Sequence, residues 1–429
     1  MTKSTPATFC VIPWLQRYTD EQGYHLLCCT GHGAKNRLRS ENGQLLHVSQ
    51  RLTDEQVLNS PMVKDARLQM MHGEWPAVCA RCRKSEEASG ESVRKHQNAR
   101  FDFSRIESLL SQTGADGSIE DPVVRYADIR LGNACNLTCR MCGPVASRLW
   151  APIYNQIQPE SYRLPPKEVF VLGTNNWVKQ DHLAWLLEQC LPQVEMLHFA
   201  GGEPLIVPEM VEALEQCILS GRAGEIELSY NTNLTVLPEK VTSLWSKFRS
   251  VSLLCSVDGF GKVNEYIRRP SKWSDIDRNL RTVDRYFDEW KIRMARISCT
   301  TQIYNVLSID LLFEYLRSAG FSRFDTLPDL VPLSYPRYLS IQALPAAAKT
   351  IARKKLLREI ERAEALNAPR LAGPIGSIRS TLAFMDAANT TFDLPDFLSF
   401  SESSDKAFGD SWRLAVPELA EHFDADCVR

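Results

Sequence analysis

Apolar residues gather in short runs separated by amphipathic stretches through the middle of this chain. Strand-like runs fall at 126–131, 194–200, 225–230, 251–257, 292–302 and 324–327. The segments between them carry apolar positions three and four residues apart, the spacing of a helix with one buried face. Strands that alternate with helices predict a parallel sheet, here an α/β fold of the partial (β/α)6 TIM-type barrel kind. Its site is expected at the carboxyl ends of the strands. On the N-terminal side, residues 40–76 predict a short helix and 83–110 a charged helix, followed by a Gly-Asp-Pro linker at 114–122. On the C-terminal side, 349–366 reads as a helix whose polar face alternates basic and acidic residues. The expected division is therefore 1–120, 121–335 for the barrel, and 336–429 as a mainly helical extension.

Composition narrows the class. At 429 residues, with 44% apolar and 24% charged, the chain has globular composition and exceeds the usual limit of a single core. A net charge of -2 provides no global basic field and argues against nucleic acid or an anionic membrane as partner. The longest apolar runs are too short to span a bilayer and the first residues lack a signal-peptide core, so a cytoplasmic location is expected. In a reducing compartment, 13 cysteines point to metal ligation more than to disulfides.

Cys135, Cys139 and Cys142 form a tight CxxxCxxC directly after the first barrel strand. Thiolates select zinc, Cu(I) or iron-sulfur clusters. A structural zinc site normally closes with four ligands, whereas a cubane on three cysteines keeps one iron open. A zinc knuckle is the plainer alternative, but no histidine lies near the loop to complete one. The spacing, with Asn136, Thr138 and Arg140 between the ligands, resembles the signature of the radical S-adenosylmethionine (radical SAM) superfamily. That family usually has an aromatic before the last cysteine; here Met141 stands there and can keep an apolar contact to adenine.

A second group comprises Cys10, Gly23, the pair Cys28-Cys29, and Cys79-Ala80-Arg81-Cys82. A zinc ribbon on Cys10, Cys28, Cys79 and Cys82 is one reading. Beside the radical SAM-like loop, the run C-x12-G-x4-C followed by CxxC resembles the SPASM and twitch modules, which carry auxiliary [4Fe-4S] clusters. There the module commonly follows the barrel; here the cysteines precede it. The isolated Cys190, Cys217, Cys255, Cys299 and Cys427 offer no second auxiliary set, so the resemblance implies one cluster, of twitch type. Cys28 matches the glycine spacing and is preferred to Cys29.

Further motifs follow the strands. After the second barrel strand comes Gly201-Gly202-Glu203-Pro204, whose adjacent glycines allow close backbone approach while Glu203 offers an acceptor. It resembles the family's GGEP motif, which implies binding of the cofactor's amino group. Asn231 and Asn233 follow the third strand, and Ser256 and Asp258 the fourth. They resemble family elements around the ribose and methionine of the cofactor, although helix capping and turn formation explain each residue singly nearly as well. Arg268, Thr300, Gln302 and Asn305 add polar groups near the same strand ends, and Cys255 and Cys299 are lone strand cysteines.

The resemblance implies a [4Fe-4S] cluster that reductively cleaves S-adenosylmethionine to a 5'-deoxyadenosyl radical, which abstracts hydrogen from a peptide, protein or small polar substrate. It also implies an electron donor such as flavodoxin or ferredoxin. Two alternatives stand beside it: a non-catalytic iron-sulfur or zinc protein, and a radical enzyme acting on RNA. The absence of a basic, aromatic stripe argues against the latter.

Overall fold

The computed structural model describes residues 5–31, 33–101, 103–179 and 181–423. Its strands are β1 (Gln16–Thr19), β2 (His25–Leu26), β3 (Tyr126–Arg130), β4 (Met196–Ala200), β5 (Glu227–Thr232), β6 (Ser250–Ser256), β7 (Ile292–Thr301) and β8 (Asp329–Pro332). They form one eight-stranded sheet of order β2-β1-β3-β4-β5-β6-β7-β8. β1 runs parallel to β3, β3 to β4, β4 to β5 and β7 to β8, while β2 is antiparallel to β1. The architecture is an α/β fold with a mostly parallel sheet, consistent with a partial TIM barrel, and a helical C-terminal region.

Register explains how strands that read as continuously apolar still carry chemistry. Ala127, Leu197 and Leu228 share one cross-strand row, and Ile129, Phe199 and Tyr230 another. All six are at most 1% exposed. Between these rows lies Tyr18, Asp128, His198 and Ser229, one residue from each of four neighbouring strands. Because side chains alternate faces along a strand, the apolar rows occupy one face and the polar row the other. Tyr126 donates its hydroxyl to Asp128 at 3.4 Å, Arg130 lies 3.4 Å from Asp128, and His198 Nδ1 is 2.9 Å from Ser229 Oγ.

The chain divides into two compact units. The first comprises residues 1–134, 175–230 and 239–252. Its N-terminal core gathers Phe9, Val11, Trp14, Leu15, Leu27 and Val63. The second comprises 135–174, 231–238 and 253–429. There the helices Ala346–Ala365, Ala372–Asp386 and Leu394–Phe408 bury Leu356, Ile378, Phe397 and Phe400 completely. Among the described residues, no helix is long and apolar enough to cross a membrane.

Three expectations shift. The last strand lies at Asp329–Pro332, after the apolar run 324–327. The charged helix expected over 83–110 is three helices, Ala80–Ser89, Val93–Asn98 and Phe103–Ser111. Gly90, at φ +76, ends the first of these, and Ser92 caps the second. β1 and β2 were not expected, because Gln16-Arg17-Tyr18-Thr19 is polar in sequence. Its burial depends on partners such as Asp54, 2.7 Å from Arg17.

Candidate metal and cofactor site

The loop that follows β3 carries Cys135, Cys139 and Cys142. Cys139 is buried and the other two are half-buried. In the second unit the loop is fastened from several directions. Thr138 N–H donates to Arg269 O at 2.6 Å and Arg140 N–H to Ile267 O at 2.8 Å. Cys139 O accepts from the indole of Trp150 at 3.2 Å, and Ser147 Oγ donates to Leu137 O at 2.7 Å. Leu137 N–H points at Cys135 Sγ, 3.5 Å away, and Asn233 Nδ2 lies 4.0 Å from the same sulfur. Donors of this kind stabilise negative charge on a thiolate ligand. A hydrogen bond to Cys142 and burial together raise the pKa of Cys139 well above that of a free thiol. Ligation would therefore release protons from this loop.

Asn233 is committed on both sides of its amide. Nδ2 donates to Asn136 at 2.9 Å, and Oδ1 accepts from Thr235 N–H at 2.9 Å and from its hydroxyl at 2.6 Å. It brackets the turn and the cysteine loop together. Asp258 is fully buried; its carboxylate accepts from Thr300 N–H at 2.7 Å and pairs with Arg268 Nε at 2.7 Å. Burial pushes the Asp258 carboxyl pKa up, and Arg268 opposes the rise. For Arg268 burial disfavours the charge, but Asp258, Cys139 and Cys142 outweigh it and raise the pKa above its ordinary value. Asn305 donates to Asp258 O and Thr300 O, each at 2.8 Å, and accepts from Gln302 N–H at 2.8 Å. Ser256, Asn231 and Met141 are half-buried. Cys255 and Cys299 are fully buried in strand phase with Leu253 and Ile297, and Cys299 Sγ accepts from Asn305 Nδ2 at 3.7 Å.

In the first unit, Gly201 and Gly202 adopt φ of +79 and +57. A Cβ on Gly202 would stand 2.2 Å from Ala134 O, and one on Gly201 2.8 Å from Gly132 O. Glu203 N–H donates to Ala134 O at 2.8 Å, and its carboxylate accepts from Leu205 N–H at 3.2 Å. The glycines therefore let this turn close onto the residue that precedes Cys135 in the chain.

Also in the first unit, Cys10, Cys28, Cys29, Cys79 and Cys82 line one cavity with Thr30, Arg94 and Gln97. Cys79 immediately precedes the helix Ala80–Ser89 and Cys82 lies in its first turn, where unpaired N–H groups and the helix dipole favour thiolates. Thr30 Oγ1 stands 3.2 Å from Cys28 Sγ and 3.9 Å from Cys82 Sγ. The backbone around Cys10 is held by Asn98, which accepts from Val11 N–H and donates to Phe9 O, each at 2.8 Å. Burial raises the Cys10 thiol pKa well above its ordinary value and that of Cys79 to about 12. Cys28, Cys79 and Cys82 add to the rise at Cys10. After burial, Cys29 feels Asp128 most strongly. Among the described residues, no three His, Cys, Asp or Glu side chains close around a single ion. Gly23 adopts φ +87, and a Cβ there would meet His47 at 2.7 Å. Cys427 lies outside the described residues.

Sequence reasoning missed Trp150, Asn98 and Thr30, which hold these loops. Only their nearness to the cysteines in space marks them.

Residues 129–297 match the family model of the Radical SAM superfamily. This stretch of the chain is similar to a radical SAM domain. That superfamily implies a [4Fe-4S] cluster and S-adenosylmethionine, and the three-cysteine loop lies within the matched residues. Among solved structures, anSMEcpe with bound AdoMet is 17% identical, with a TM-score of 0.38, over 56% of this chain and 62% of that one. SuiB from Streptococcus suis bound to S-adenosylmethionine is 14% identical, with a TM-score of 0.34, over 71% of this chain and 64% of that one. SuiB bound to the precursor peptide SuiA is 18% identical, with a TM-score of 0.29, over 47% and 38%. The chain thus spans less than two thirds of each of these three. No curated protein matches it.

Proposed function

We propose that this radical SAM protein reductively cleaves S-adenosylmethionine and uses the resulting 5'-deoxyadenosyl radical to abstract hydrogen from a peptide, protein or small polar substrate. The observation that carries this reading is the three-cysteine loop, with sulfur-directed donors from Leu137 and Asn233, inside the region that matches the superfamily. When bound, cluster and cofactor supply one-electron chemistry that side chains lack.

The chain's own residues bind, orient and tune. Cys135, Cys139 and Cys142 would hold the cluster, and Met141 would offer an apolar contact to adenine. Gly201 and Gly202 bring backbone close to the cofactor, and Glu203 accepts from its amino group. Asn231 and Ser256 line the ribose and methionine, while Asn233 and Asp258 act there through Asn136 and Arg268, the partners they hold. Arg268 places positive charge beside the Cys139 and Cys142 thiols, which eases reduction of a negatively charged cluster.

Cys10, Cys28, Cys79 and Cys82 would hold one auxiliary [4Fe-4S] cluster of twitch type, which would supply a second one-electron centre. This assigns the auxiliary centre to 1–120, radical chemistry to 121–335 and support to 336–429. A flavodoxin- or ferredoxin-type donor supplies the electron, in the cytoplasm.

Anaerobic reconstitution with iron, sulfide, S-adenosylmethionine and dithionite tests the reading. The wild type should form 5'-deoxyadenosine, Cys142→Ala none, and Cys79→Ala should retain cleavage uncoupled from substrate. An iron-loaded wild type that forms none under several reductants would favour a non-catalytic metal protein.

A further inference from the structure

Arg140, between two of the loop cysteines, is fully buried, and the C-terminal segment neutralises it. Its Nη2 lies 2.8 Å from Asp410 and 3.5 Å from Asp405. Its Nε donates to Tyr266 O at 3.2 Å, and the guanidinium sits 4.2 Å from the Tyr266 ring centroid and 5.3 Å from that of Phe408. Asp405 already accepts from Tyr266 OH at 2.9 Å and from Trp412 N–H at 2.7 Å. Asp410 is shared by Arg140 and Arg269, whose Nε lies 3.0 Å away. Arg269 in turn donates Nη2 to Phe408 O at 3.1 Å and accepts, through its carbonyl, from Thr138 N–H. Trp150 completes the ring: its indole packs edge-on to Phe408 at 5.9 Å and donates to Cys139 O.

These contacts join the backbone of residues 138–140, Tyr266 and Arg269 to residues 405–412, at and just beyond the end of the helix Leu394–Phe408. Resting on the radical SAM reading, we infer that Asp410 is a positioning residue for the three-cysteine centre. It fixes Arg140 and Arg269, and through them the spacing of Cys139 and Cys142, so the C-terminal segment is a working part of the cluster site. A buried guanidinium that loses its best carboxylate pulls its own loop toward water, because an unpaired buried charge is costly.

The first test uses the metal-free full chain. Asp410→Asn should speed amide exchange across 138–142 by about tenfold, the size expected for losing a charge-assisted bond. Glu402→Gln, at an exposed position on the same helix, should leave it unchanged. In the reconstituted chain, Asp410→Asn should load the three-cysteine cluster several-fold less well and broaden its EPR signal, while iron at the N-terminal cysteines stays as in wild type. Asp410→Glu should rescue both. If Asp410→Asn is insoluble, Arg140→Lys, which keeps charge but loses the fork, carries the same expectation. Wild-type exchange and an unaltered EPR signal in the variant would overturn the inference. Wild-type protein that protects the loop but takes up no cubane there would overturn the functional reading instead.

Discussion

Gly202 is the residue with least freedom in the turn after β4, for it combines positive φ with a carbonyl oxygen 2.2 Å from where a Cβ would lie. Gly202→Ala should therefore lower unfolding stability by at least about 2 kcal/mol, since backbone must move to admit the methyl group. Gly224→Ala, with nothing within 4 Å of its Cβ position, should stay within about 0.5 kcal/mol of wild type in the same urea titration. His198 gives a pH-dependent case. Burial pushes its pKa down to about 4, Asp128 opposes this, and Arg130 and Arg100 add to it. The folded state thus prefers neutral imidazole, while the unfolded chain binds a proton near pH 6.5. This contribution is fully present above pH 6.5 and is lost as pH falls from there toward 4. Linkage puts the loss at roughly 2 kcal/mol between pH 7 and pH 5. His198→Gln, which can still bond Ser229, should flatten that part of the curve; identical pH dependence in both proteins would refute the assignment.

At the level of elements, the central strands were legible because β-branched and aromatic runs at 126–131, 194–200 and 251–257 bury apolar side chains against helices whatever else surrounds them. β1 was not, because Arg17 and Gln16 are buried only once Asp54 and the neighbouring strand are in place. The cysteine loop could be read from spacing alone, since three thiols within eight residues leave little choice of chemistry. Its support could not, because Arg140 and Asp410 are 270 positions apart. The N-terminal set lies between these cases. Cys79 and Cys82 announce a helix start, but Cys10 depends on the remote Asn98 for its backbone conformation. Asn98→Ala should accordingly reduce iron loading of the reconstituted chain from about eight per molecule toward about four, the value expected for Cys79→Ala. Unchanged iron in both variants would remove the case for an auxiliary cluster.

For the molecule as a whole, function rests on where the sheet delivers polar groups. Each loop singled out in sequence follows a strand of the sheet: the cysteines after β3, the glycine pair after β4, Asn233 after β5 and Asp258 after β6. The N-terminal set is placed differently: Cys10 precedes β1 and Cys28 follows the antiparallel β2, so both lie toward the amino end of β1. The most direct test of the account is EPR of the dithionite-reduced Cys79→Ala/Cys82→Ala chain, in which only the three-cysteine cluster remains, before and after addition of S-adenosylmethionine. The account predicts a [4Fe-4S] signal whose g-values shift when the cofactor is added. A signal indifferent to the cofactor, or a loop that holds only zinc, would contradict it.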